Sequence, residues 1–131
     1  MPAFRVEDGS LSAFVVVLMS AFIACAALAV DGGRLVATHV QLSDHAGNAA
    51  RRGVQEVTSL RSGNPTVDID RARRAVQQYL ALHGLEGDVV ATDESVTVSV
   101  SARVAMTLLS VIGVADRRIS VQRVAIPFAG P

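Results

Sequence analysis

Twenty consecutive residues without a charge, 11–30, constrain this chain more than any other feature of its 131 residues. Eighteen of the twenty are apolar, the exceptions being Ser12 and Ser20. As an α-helix the run measures about 30 Å, the thickness of a bilayer's hydrocarbon core. Ten of its residues are Leu, Ile, Val or Phe. Each is favourable by roughly 0.3 to 0.6 kcal/mol at the centre of an inserted helix, so together they favour insertion by roughly 3 to 6 kcal/mol. The next apolar stretch, 105–114, is half as long and contains Thr107, Ser110 and Gly113. The sequence therefore predicts one membrane span at most.

A cleaved secretory signal competes with a retained anchor. Ala27-Leu28-Ala29 has the small-x-small form of a signal-peptidase site, and Arg5 gives a minimal positive flank. Cleavage near Ala29 would release a small secreted binding module. The apolar core exceeds the roughly 7 to 15 residues of a signal, and Glu7 and Asp8 stand where positive charge is expected, which favours the anchor. Arg5 and the α-amine precede the span, whereas Arg34 alone follows within about 20 residues, placing the amino terminus in the cytoplasm and the rest outside. The single cysteine, Cys25, lies inside the run, so neither a disulfide framework nor a cysteine zinc site is available. Phe22-Ile23-Ala24-Cys25 only faintly matches a lipobox, with five apolar residues following it. Cys25 reads as a small apolar residue facing lipid or a partner helix.

Beyond the span, Gly32-Gly33 is followed by Val36, Val40, Ala46, Ala50, Val54 and Val57 at spacings near three and four, the pattern of an amphipathic helix with a small-residue stripe. We expect a helix from residue 11 to about 60, interrupted or softened at Gly32-Gly33, where each glycine costs about 1 kcal/mol of helix stability. Ser62-Gly63-Asn64-Pro65 is a break. A second helix should begin at an Asp68 cap and carry Ile69, Ala72, Val76, Tyr79 and Leu80 on one face, with Tyr79 at the core edge and its hydroxyl in water, until His83-Gly84 stops it. The period then changes to two. In the segment SVTVSVSARV, residues Val96, Val98, Val100, Ala102 and Val104 alternate with Thr97, Ser99, Ser101 and Arg103, a half-buried strand. Residues 89–91 precede it across an Asp93-Glu94-Ser95 turn, 106–114 reads as a short helix or a loop packed on the sheet, and 119–128 as a third strand. The expected architecture is α+β: a long amino-terminal helix, a second amphipathic helix and a small antiparallel sheet of about three strands. By region this gives a flank at 1–10, a span at 11–30, a helix continuation at 31–60 and a small extracytoplasmic domain at 61–131.

No constellation for catalysis emerges, and the chain reads as a non-enzyme. His39 and His45 are six apart and do not share the helical face of a four-residue ligand pair, so both read as solvated. Gly32-Gly33 lacks the phosphate-binding context of the glycine-rich loops. The pairs Asp68/Asp70 and Asp93/Glu94 lie at element boundaries, where acids serve caps and turns. Arg51-Arg52, Arg73-Arg74 and Arg117-Arg118 read as solvated faces, with acidic lipid headgroups or a partner as the functional alternative. Twelve basic residues balance twelve acidic ones without a basic, aromatic-interleaved patch, which excludes a nucleic-acid footprint. No cofactor or small-molecule substrate is expected.

The order of these features, a leader ending EDGS, one span, VDGGRLVATHVQLSDHAGNAARRGVQEV, a helix ending YLALHG and then VTVSVSARV, resembles the TadE/TadG-like pilus-assembly proteins, especially the actinobacterial TadG-like kind. Asp31, Gly32, Gly33 and Arg34 match that family's D-G-G-R after the span. The resemblance implies a minor pilin or pseudopilin of the tight-adherence (Tad, Flp-type) pilus or secretion system, single-pass in the cell membrane, whose partners are pilins, other Tad components and membrane lipid. By analogy with pilins, a prepilin peptidase would cut between Gly9 and Ser10. Phe14, the fifth residue after that cut, stands where processed TadE-type pseudopilins carry a glutamate. Small residues in the span, Ala13, Ala21, Ala24 and Ala27, would let helices approach closely. A stand-alone envelope protein is the remaining alternative.

Overall fold

The computed structural model describes residues 7–58 and 65–128. The chain is α+β, with a long first helix, a second helix and a three-stranded antiparallel sheet. Helix α1, Glu7–Val54, is 48 residues long and contains no proline. It runs through Gly32 and Gly33 without a break, so the interruption expected there is absent. Two glycines together cost about 2 kcal/mol of helix propensity, and the ladder is held on both sides: by the apolar helix before them and by the packed helix after them. No other atoms lie within 4 Å of where a Cβ would stand at either glycine.

The carboxyl-terminal third of α1 packs into the core through Leu42, Ala46, Ala49 and Ala50, all buried. The expected stripe was set too far toward the amino terminus, because Val36 and Val40 are exposed. Small residues bring the helix axis close to its neighbours. The closest approach is at Gly53, where a Cβ would sit 2.9 Å from both Val76 Cγ2 and Val96 Cγ1. Just past this contact the helix ends, at Val54 instead of near residue 60. Val57–Thr58 (β1) then pairs antiparallel with Thr66–Val67 (β2), a two-residue ladder that the sequence reading did not contain. The expected break at Ser62-Gly63-Asn64 and the leader's Arg5 lie outside the described residues.

Helix α2, Ile69–Leu82, starts as expected: the Asp68 carboxylate accepts the Arg71 N–H at 3.0 Å. Ala72, Val76 and Leu80 form its buried face. The sheet has the order β3-β4-β5, with β3 at Glu86–Ala91, β4 at Val96–Val104 and β5 at Arg117–Ala125. In register, Val98 of β4 lies opposite Val89 of β3 and Arg123 of β5. Val96, Val98, Val100 and Val104 are buried while their neighbours point away, so the alternation in β4 does place one face against the helices. Burying a valine fully contributes about 1.5 to 3 kcal/mol, which makes β4 the centre of the core.

The other half of α1 is bare. The helix is long and apolar enough to cross a membrane, and only 6% of its most apolar stretch is buried. One continuous helix thus emerges from the domain with its apolar half uncovered.

Candidate functional site

Where the bare half of α1 meets the domain, one acid is completely enclosed. Asp31, the first residue after the apolar run, has 0% relative exposure. Facing it is the segment between β4 and β5, which turns into a short 3-10 helix at Leu109–Ile112. The N–H groups that open such a turn have no intrahelical acceptor. Asp31 accepts them: Oδ1 from Thr107 at 3.2 Å, Oδ2 from Leu108 at 2.9 Å and from Leu109 at 2.7 Å. A charged acceptor suits the positive end of the turn. Arg34, one helical turn further along α1, donates from Nη1 to the Thr107 hydroxyl.

The Leu109 N–H is the main cause holding the Asp31 carboxyl below its ordinary value; burial opposes it, and the Thr107 and Leu108 N–H groups and the Arg34 charge add to the lowering. The carboxylate therefore stays ionised, and its work is structural: it fastens a loop to a helix across more than seventy residues of sequence.

The loop is closed at its other end as well. Asp116 Oδ1 accepts the Met106 N–H at 3.2 Å, the Ser110 hydroxyl donates to the Thr107 carbonyl at 2.8 Å, and Gly113, at φ 87°, ends the turn in a left-handed conformation that suits glycine. Met106 is buried at the base, whereas Leu108, Val111 and Ile112 are exposed at the tip. The loop packs along α1, not on the sheet. Between the two runs an apolar groove bordered by Ile23, Ala24, Ala27, Leu109, Val111 and Ile112.

Of the residues singled out in the sequence, Asp31 and Arg34 belong to this junction, and Ala24 and Ala27 border its groove. Gly32 and Gly33 lie in the helix backbone and make no close approach. Ala13, Ala21 and Cys25 are exposed on the bare helix, and Gly9 and Ser10 are exposed near its start. Thr107, Leu108 and Leu109 were not foreseen as partners of Asp31. One signal did exist: Ser20, Ala24, Ala27 and Asp31 recur at three- and four-residue spacing, so a lone acid continues a stripe of small residues.

A second polar cluster joins α1 to α2. His45 Nδ1 lies 3.1 Å from the Tyr79 hydroxyl, the His83 ring stacks on Tyr79 with centroids 4.2 Å apart, and the His83 Nδ1 lies 2.8 Å from the Tyr79 carbonyl oxygen. His45 is thus half-buried and bonded, not solvated, and the Tyr79 hydroxyl meets a histidine; His39 is exposed as expected. Among the described residues, no three His, Cys, Asp or Glu side chains are grouped so as to hold a metal ion. Asp68 caps α2, and Asp93 and Glu94 lie in the β3-β4 turn. The arginine pairs are exposed, and Arg118 bonds Ser101 Oγ at 2.8 Å.

No protein-family model matches the chain, and neither a curated protein nor a solved structure is significantly similar to it.

Proposed function

We propose that this chain is a membrane-anchored, minor pilin- or pseudopilin-like component of a Tad (Flp-type) pilus assembly or secretion system. Its amino terminus is cytoplasmic, its α+β domain lies outside, and it acts by helix packing instead of catalysis. The observation that carries the reading is a single helix whose amino-terminal half is apolar and bare while its carboxyl-terminal third forms part of the domain's core. A helix of that kind is at equilibrium only in surroundings as apolar as itself, either acyl chains or other helices. Between such surroundings, packing of small residues such as Ala13, Ala21, Ala24 and Ala27 decides association. The D-G-G-R stretch at residues 31–34 supports the family reading, and Asp31 gives that stretch a physical task.

Membrane fractionation with amino-terminal sequencing of the mature chain, joined to deletion of the gene in its native cell, tests this. The expected outcome is a membrane-bound product that retains residues 11–30, and loss of surface pili restored by the full chain but not by a chain lacking that stretch. Recovery from the culture fluid of a product beginning at Val30, or unchanged piliation in the deletion strain, overturns it.

A further inference from the structure

The 107–113 loop carries exposed apolar side chains at an unusual place, beside the bare helix instead of at the far end of the domain. We propose that this loop is a second membrane contact, a finger whose Leu108, Val111 and Ile112 enter the acyl layer of the adjoining leaflet next to α1. The inference rests on the membrane-anchor part of the reading above.

Depth is the first argument. The groove between loop and helix runs along Ala27 to Ile23, which at 1.5 Å per residue lie about 6 and 12 Å below Asp31 on the helix axis. Asp31 ends the apolar run, so a helix that places 11–30 in hydrocarbon carries the loop tip below the hydrocarbon boundary. Val111 and Ile112 are 85% and 72% exposed, so at that level they face whatever surrounds the bare half of α1.

Backbone chemistry is the second. Irregular backbone in hydrocarbon must have its polar groups bonded within the protein. Here the carboxylate of Asp31 takes the N–H groups of Thr107, Leu108 and Leu109. Internal carbonyls take those of Val111, Gly113 and Val114. The Ser110 hydroxyl turns back onto the Thr107 carbonyl. The Asp31 clasp thus takes three N–H groups of the loop out of the demand that an apolar medium would make.

Charge is the third. Residues 104–115 carry no charge, while Arg103 precedes them and Asp116, Arg117 and Arg118 follow. Arg103 and Arg117 are exposed at the loop base, where arginines meet anionic headgroups while the tip lies deeper. The occupant of the groove is accordingly an acyl chain, and the groove opens onto the same bare surface as the span.

The test uses the full chain with Cys25→Ala, reconstituted in phosphatidylcholine and phosphatidylglycerol vesicles, with a nitroxide label on Val111→Cys, Leu18→Cys or Leu82→Cys in turn. Val111 and Leu82 are both largely exposed, so labelling leaves the fold intact. Collisions with oxygen, which concentrates in lipid, are compared with those of a water-soluble nickel chelate. At Val111 and Leu18 the oxygen-to-nickel collision ratio should exceed that at Leu82 by at least about tenfold, because hydrocarbon excludes the chelate. If Leu18 gives the lipid ratio and Val111 matches Leu82, the finger is refuted and the anchor stands. A water-like ratio at Leu18 refutes both. Protection of Val111 from oxygen and chelate alike means that a second protein chain covers the loop, which also refutes the lipid contact.

Discussion

Replacing glycine by alanine at two positions of α1, Gly47 and Gly53, should have opposite consequences. Both substitutions gain about 1 kcal/mol of helix propensity. At Gly47 no atom lies within 4 Å of the new methyl, so that gain is kept. At Gly53 the methyl would stand 2.9 Å from Val76 Cγ2 and Val96 Cγ1, on two β-branched side chains that are fully buried. Such side chains are stiff at χ1 and have nowhere to rotate. Overpacking of this kind costs about 1 to 3 kcal/mol, which leaves Gly53→Ala between neutral and about 2 kcal/mol destabilised. The two variants should therefore differ by about 1 to 3 kcal/mol. For a folded unit of this size each kcal/mol moves the midpoint by about 4 to 8 °C. Thermal melting of the detergent-solubilised full chain, followed by circular dichroism, should place Gly53→Ala at least about 4 °C below Gly47→Ala. Adding Val96→Ala to Gly53→Ala should cost less than the sum of the two single changes, because the first makes room for the second. Equal melting points, or strict additivity, would show that α1 does not approach α2 and β4 as closely as described.

Substituting Gly32 and Gly33 together by alanine should leave the fold intact and raise its melting point, since neither site is crowded and the helix is continuous there; a lowered melting point would expose a bend the structure does not contain. Asp31→Ala should strip amide-exchange protection from Thr107, Leu108 and Leu109 while leaving the β4 amides protected, and unchanged protection at all three would dismiss the clasp. Because the folded-state value of Asp31 is lowered, its contribution is complete above the unfolded value, near 3.8, and disappears as the pH falls through the lower folded value. Protection of those amides should accordingly persist below pH 3.8, and its loss at or above that pH would contradict the lowering. Tyr79→Phe should cost about 0.5 to 1.5 kcal/mol through the lost contact with His45, read from chemical denaturation, with no cost expected if that contact is incidental.

What could be read from the sequence follows the physical origin of each element. Strand β4 was legible because its valines alternate with small polar residues over nine positions, and a period of two has no helical counterpart. Helix α2 was legible because Asp68 caps it and one face is apolar. The packed face of α1 was legible in part: Ala46 and Ala50 are buried and Val54 packs against the core, but Val36 and Val40 are exposed, and Leu42, Ala49 and Gly53 complete the face, because alanines are so frequent there that several stripes fit the same residues. Strands of two residues, as in β1 and β2, are too short to carry a period at all. The Asp31 clasp joins a carboxylate to backbone N–H groups 76 to 78 residues away, and backbone donors leave no signature in residue type. The His45–Tyr79 contact, 34 residues apart, was hidden for the same reason of distance.

An unbroken α1 ties azimuth to length. Each residue of an α-helix advances the chain by about 100° around its axis, so removing one residue between Ala27 and Asp31 would swing the entire domain by more than a quarter turn relative to the faces of the segment below. A neighbour that grips the lower segment thereby dictates which side of the domain looks outward, much as a key's shaft fixes the bearing of its bow.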